Sequence, residues 1–274
     1  MHMVLDGQDW KEAINTHRES PCRALIAKRL ADYRDRGYTY LRDGGDRWGV
    51  GKLARRMSGD YGITYRTPLA PLCKAGCYGS FIGKTFESLK EYAALVQEHR
   101  KAGADFIKIM ISGLMDFSKP GQLFMEGPTD AEIRQMVYIA HEEGFSVMAH
   151  CNGSMPALAA SCMGVESIEH GAYLNEEALQ AMAENKVIWV PTLSTIGNLL
   201  GKGRYPDEAV EKILESAMQG VQAYSAMGGL VAPGTDAGAW AVPHEVHTEE
   251  AWLEKAGVCK QAQIDAATAI MKRF

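Results

Sequence analysis

No stretch of this 274-residue sequence reaches the roughly 18 uninterrupted apolar residues that a helix needs to cross a bilayer, so a membrane-spanning helix is not expected. The opening residues, Met1-His2-Met3-Val4-Leu5-Asp6, carry no basic region followed by an apolar run and a small-residue cleavage site. Nothing there indicates export, and the cytoplasm is the expected location. Long basic runs are missing too, and with a formal net charge of -5 the chain has no electrostatic footprint for nucleic acid. Cysteine is sparse: six are scattered along the chain and none forms a Cys-x-x-Cys pair, which points to free thiols in a reducing compartment. There is no strict repeat, low-complexity segment or Pro/Ser-rich linker, so a single domain over residues 1–274 is expected, the usual size of one large α/β unit.

What is present is an alternation. Short strand-like runs recur at Tyr38-Thr39-Tyr40-Leu41, Phe106-Ile107-Lys108-Ile109-Met110-Ile111, Phe145-Ser146-Val147-Met148-Ala149, Val187-Ile188-Trp189-Val190 and Gly229-Leu230-Val231-Ala232, with further strands near 64–72 and 165–169. Helical stretches separate them. Ser20-Pro21 reads as a helix start with Pro in the first helical position, and Thr129-Asp130-Ala131-Glu132 as a capping box. Gly37, Gly103 and Gly144 each fall between a helix end and a strand start. Residues 1–5 look like the tail of an eighth strand. Repeated strand-helix alternation predicts a parallel sheet, and periodicity alone does not choose between a barrel and a doubly wound sheet.

Polar residues able to bind metal sit where apolar strands run out. His150 ends one such run, His170 another, and Asp236 follows Pro233-Gly234-Thr235. In a parallel barrel the C-terminal strand ends converge on one rim, and two imidazoles with a carboxylate suit zinc or manganese. Any one of these histidines alone would pass for an ordinary hydrogen-bonded residue; the set is what points to a site. Lys108 is stranger, because it interrupts a strand that reads as buried. Either it points to the barrel mouth and pairs with an acid, or desolvation and nearby cations depress its pKa and leave a reactive neutral amine.

With Ala149-His150, Ile168-Glu169-His170-Gly171, Gly234-Thr235-Asp236-Ala237-Gly238 and the Lys of Ile107-Lys108-Ile109, the sequence resembles the amidohydrolase superfamily, in its imidazolonepropionase-like and prolidase-like branch. The match covers almost the whole chain in the family's order. It implies a (β/α)8 TIM-type barrel with a centre of one or two divalent ions, usually zinc, and Lys108 carboxylated by carbon dioxide to bridge them. His150 and His170 would hold one ion, and His2 and Asp236 the other. Asp236 would act as general base and acid in hydrolysing an amide bond of a small-molecule substrate. A dipeptide or an N-acyl amino acid is the expected substrate; the alternative is a cyclic amide, as in imidazolonepropionase-like enzymes, and the lysine argues for the former. A third alternative is an inactive barrel that has lost its complete site.

The resemblance breaks at strand one, where Met1-His2-Met3 looks like the second half of a His-x-His pair. The implied chain is cut short at both ends, with strand one mostly missing and without the family's small β-sandwich domain. His2 is then either the surviving ligand or a frayed terminal residue. Unpaired barrel edges invite pairing with another chain, so a homo-oligomer is expected. Where relatives place substrate-contacting histidines this chain has Tyr78 and Asn152, which either take over as hydrogen-bonding groups or are solvated. His244 is expected to line the pocket mouth, with His247 nearer the surface. Glu169 is expected to point away from the barrel axis, opposite His170, because side chains alternate along a strand.

Overall fold

The computed structural model describes all residues, 1–274. Eleven strands form: β1 (Tyr40–Arg42), β2 (Thr64–Arg66), β3 (Leu72–Lys74), β4 (Lys84–Phe86), β5 (Ile107–Met110), β6 (Leu114–Met115), β7 (Leu123–Phe124), β8 (Val147–Cys151), β9 (Ser167–His170), β10 (Ile188–Val190) and β11 (Leu230–Val231). β6 and β7 make a small antiparallel hairpin, and every other pairing is parallel. The main sheet runs β11-β10-β9-β8-β5-β3-β4, with β1-β2 as a separate pair. From β5 to β11 the strand order follows the chain without reversal, the winding of a barrel rather than of a doubly wound sheet. A backbone hydrogen bond from Asp105 N–H to the Thr67 carbonyl, 3.0 Å, links the β2 side to β5.

No ladder joins β11 to β1, so a closed eight-stranded barrel is not what the sheet shows. Residues 1–2 span that gap at one end: His2 N–H donates to Ala237 O and Gly44 N–H to Met1 O, both at 2.7 Å. The stretch 64–72, expected as one strand, is broken after Arg66 by Thr67-Pro68 and by Leu69 at φ 66°, which divides it between β2 and β3.

Local signals account for the helix ends. The capping box forms, with Glu132 N–H on the Thr129 hydroxyl and Thr129 N–H on the Glu132 carboxylate, and it opens the helix Asp130–Glu142. Gly103 and Gly144, at φ 75° and 79°, adopt the left-handed conformation that turns a helix into the next strand. Pro21 does not open a helix, since the first helical residue there is Arg23 and Cys22 takes the capping position.

The two faces of the central strands differ in kind. Outward-facing Ile107, Ile109, Val147, Ala149, Cys151, Ile168 and Trp189 pack under the helices in a core of 38 buried residues. Inside, a smaller cluster of eight includes Phe106, Met148, Ile188, Val190 and Ala232 together with Ala266, Ile270 and Phe274 of the last helix, Lys260–Arg273, and its end. That helix thus reaches the interior face beside the gap, where the Phe274 ring lies 5.2 Å from Phe106 and 4.4 Å from the Arg42 guanidinium. A cavity of about 380 Å³ runs along the gap from Tyr38 and Gln263 to Lys108, His170 and Asp236.

Candidate metal centre

Strand register decides which side chains turn inward. Lys108 pairs with Met148, Met110 with His150, and His150 with Glu169, so Lys108, His150 and Glu169 share the interior face. By alternation His170 belongs to the other face. It leaves β9 at φ 70°, however, and this left-handed exit swings its ring back until it lies 4.7 Å, centroid to centroid, from His150. The expectation that Glu169 points away from the axis is therefore overturned. Glu169 is buried and bonded to the Arg42 guanidinium at 2.8 Å and to the Ser167 hydroxyl at 2.6 Å. Glu166, by contrast, is structural: it accepts the Val147 N–H at 2.6 Å and faces His141.

Asp236, also left-handed at φ 53°, sits beyond β11 with its carboxylate 3.7 Å from His2 Nε2. His2 is not frayed. It is 8% exposed, and its Nδ1 lies 3.3 Å from Gly45 O. A Cβ on Gly44 would collide with its ring, which explains a glycine whose importance the sequence did not reveal.

Burial sets the electrostatics. It drives the His2 pKa down to about 3 and also lowers His150 and His170, with the Lys108 charge acting in the same direction. At neutral pH all three imidazoles carry a free lone pair. Burial lowers the Lys108 amine as well, against the opposing pull of Asp236 and Glu169. For Asp236 burial pushes upward, but the charges of His2, His170, the chain amine and Lys108 outweigh it and hold the carboxyl below its ordinary value. Because burial leaves His2 and His170 neutral at pH 7, the His2–Asp236 contact is not a true ion pair there.

The arrangement is thus two pairs, His2 with Asp236 and His150 with His170, each under the influence of Lys108. Lys108 is 2% exposed, and the nearby carboxylate of Glu169 is already taken by Arg42. As they stand, the side chains do not gather three His, Cys, Asp or Glu donors around one point. Their chemistry still fits a divalent ion: neutral imidazoles, an ionised carboxylate and a buried lysine without an acidic partner of its own.

Of the other expected contacts, Tyr78 lies against this group, its ring 4.8 Å from that of His150. Asn152 does not face a substrate. It is fully buried, its amide bonded to Gly113 O at 3.0 Å and to the Ala172 N–H at 2.9 Å, so it braces the loops after β5 and β9. His244 is likewise committed, with Nδ1 2.8 Å from the Tyr33 hydroxyl and Nε2 2.9 Å from Leu5 O. The residues at the cavity are His247 and buried Glu249 instead. Thr192, whose hydroxyl is 2.7 Å from His170 Nδ1, was also missed; a lone Thr two residues past a strand carries no sequence signal.

No family model matches the chain. Among curated proteins it is 27% identical over 225 residues to the ochratoxinase of Aspergillus niger, covering 79% of this chain and 44% of that protein. It is 29% identical over 147 residues to an uncharacterised protein of Mycobacterium tuberculosis, covering 51% of this chain and 39% of that one. The chain thus matches less than half the length of these relatives. The solved structure of A. niger ochratoxinase aligns with a TM-score of 0.79 at 22% identity, over 98% of this chain and 68% of that one. That of an Xaa-Pro dipeptidase aligns with a TM-score of 0.78 at 21% identity, over 98% and 73%. These likenesses show the fold. No helix is long and apolar enough to cross a membrane.

Proposed function

We propose, for a chain similar in sequence to an ochratoxinase and in fold to that enzyme and an Xaa-Pro dipeptidase, that this protein is a hydrolase of the amidohydrolase superfamily that cleaves the carbon-nitrogen bond of a small amide at a centre of one or two divalent ions, zinc first among them. The observation that carries the reading is Lys108: a buried lysine that makes no ion pair, set among His2, His150, His170 and Asp236. An unpaired ammonium there costs several kcal/mol. A neutral amine removes that cost and can add to carbon dioxide, giving a carbamate and releasing one proton. The product is an oxygen donor at the position from which Lys108 acts on both pairs.

A divalent ion held by these donors would act as a Lewis acid and bring the pKa of a water molecule to about 7. Asp236, whose carboxyl lies below its ordinary value, would take the proton of the attacking water and give it to the departing nitrogen. Neutral His150 and His170 offer lone pairs, and the Tyr78 hydroxyl, kept protonated by burial, is available to orient the substrate. The dipeptidase named above and the lysine together support a dipeptide or an N-acyl amino acid as substrate.

One observation favours a second reading, a barrel that binds without turning over: the donors lie in two pairs rather than one cluster. Metal analysis after incubation with zinc and bicarbonate, followed by a dipeptide and N-acyl amino acid screen, separates the two. One to two ions per chain with turnover supports the hydrolase, and no ion retained rules it out. The unpaired edges of β1 and β11 further support self-association. A monomer in sedimentation that unfolds cooperatively at high temperature would rule that out.

A further inference from the structure

Three successive strands of the sheet end in the same unusual way. At the last residue of β9, and beyond β10 and β11, the backbone turns left-handed at a residue with a side chain: His170 at φ 70°, Thr192 at φ 50° and Asp236 at φ 53°. Each such turn costs of order 1–3 kcal/mol, and a β-branched residue is least suited to it. Two of the three are proposed ion donors. The third is not, but its hydroxyl lies 2.7 Å from Nδ1 of His170. Thr192 is 3% exposed.

The Thr192 turn is itself held from a distance. The next two backbone N–H groups, of Leu193 and Ser194, both donate to the Glu249 carboxylate, at 2.9 and 2.7 Å, and the Ser194 hydroxyl adds a third bond at 2.8 Å. Glu249 is 1% exposed and opens a different helix, Glu249–Lys255. A carboxylate brought in from 55 residues away to bind two consecutive amides does more than cap the four-residue helix Ser194–Gly197. It fixes the strained residue immediately before them.

We propose that Thr192 and Glu249 are positioning residues of the metal centre. Thr192 accepts the Nδ1 proton of His170, selecting the tautomer whose Nε2 lone pair faces the ion, and Glu249 holds the turn that presents the Thr192 hydroxyl. This rests on the proposed metal centre, and such outer partners of a ligating histidine typically change ion affinity 10- to 100-fold.

The test uses Thr192→Val, Thr192→Ser, Glu249→Ala and the Val/Ala double variant of the full chain. Two measurements are made: zinc affinity by competition with a chelator, and the nitrogen chemical shifts of the His170 imidazole in metal-free protein. Thr192→Val keeps the shape of the side chain and is expected to weaken zinc about 10- to 100-fold and to abolish the Nδ1–H preference, whereas Thr192→Ser restores both. The losses in the double variant are expected to be less than additive, because both act through one imidazole. Should Glu249→Ala fail to fold, the Thr192 pair decides alone. A parent that binds zinc with Thr192→Val binding equally tightly overturns the positioning role and leaves the centre standing. A parent that binds no zinc, while Thr192→Val still shifts the tautomer, overturns the centre and leaves Thr192 only as the residue that sets the His170 tautomer.

Discussion

The outer and inner faces of β5, β8 and β9 belong to the same three strands and do opposite work. Outward, Ile107, Ile109, Val147, Ala149 and Ile168 are wholly buried apolar groups under helices. Inward, Lys108, His150, Ser167 and Glu169 are equally buried but charged or polar. Burial on one face contributes stability, and on the other it spends stability to tune reactive groups. Period-two geometry is what lets strands of four or five residues do both.

Substitutions on each face break or sharpen this contrast. The largest effect is expected from Asp236→Asn, which removes the proton acceptor: turnover falls about a thousandfold, some 4 kcal/mol, with zinc still bound through the remaining donors. Undiminished turnover with the dipeptide or N-acyl amino acid found by screening would remove Asp236 from the mechanism. On the outer face Ile109→Ala should cost about 3 kcal/mol in denaturant unfolding and leave zinc affinity unchanged. If zinc binding fell with it, the two faces would not be separable.

Glu249 gives a pH signature. Burial, assisted by the Asp236 charge, raises its pKa from 4.5 to about 7 in the folded state. Below pH 4.5 both states are protonated and the group is neutral to stability. Between 4.5 and 7 the unfolded chain has lost a proton that the folded one keeps, so stability falls as pH rises and then levels off. Glu249→Gln should flatten that decline by at most roughly 3 kcal/mol. Asp46, raised to about 6 by burial, slopes the same way, and His17, lowered to about 4 by burial, slopes oppositely. The difference between parent and variant across the pH series isolates the Glu249 contribution, and parallel curves would contradict it.

The smallest effect carries the most contrast. Lys108→Met should raise metal-free stability by about 1–2 kcal/mol, because it replaces a buried amine that has no ion pair with an apolar group of similar volume, and it should lower zinc occupancy at the same time. A variant that is less stable and still binds zinc would return Lys108 to an ordinary structural role.

The sequence made the inner face legible only where position and chemistry coincided. Lys108 stood out because charge interrupts an apolar run, and His150, His170 and Asp236 because they follow such runs. Glu169 was misread because alternation holds only while the backbone stays extended, and His170 departs from it at φ 70°. Asn152 and His244 looked like pocket residues, yet their hydrogen bonds are spent on Gly113, Ala172, Tyr33 and Leu5. Those partners are up to 239 residues distant, beyond the reach of any local pattern. Thr192 and Glu249 were invisible for the same reason. The parallel sheet was readable from alternation, but its barrel-like winding, the gap between β11 and β1, and the last helix that faces it were not.

Trp189 is the only buried tryptophan of five; its indole N–H donates to the His170 carbonyl at 2.9 Å, and Gly171 is packed so closely that a Cβ there would strike the ring. A chromophore without water around it is therefore wired to the peptide that orients a ligand. Any tightening of that peptide when an ion arrives reaches the indole directly, so the ultraviolet emission of the unlabelled protein should follow occupancy, and Trp189→Phe should silence that optical response.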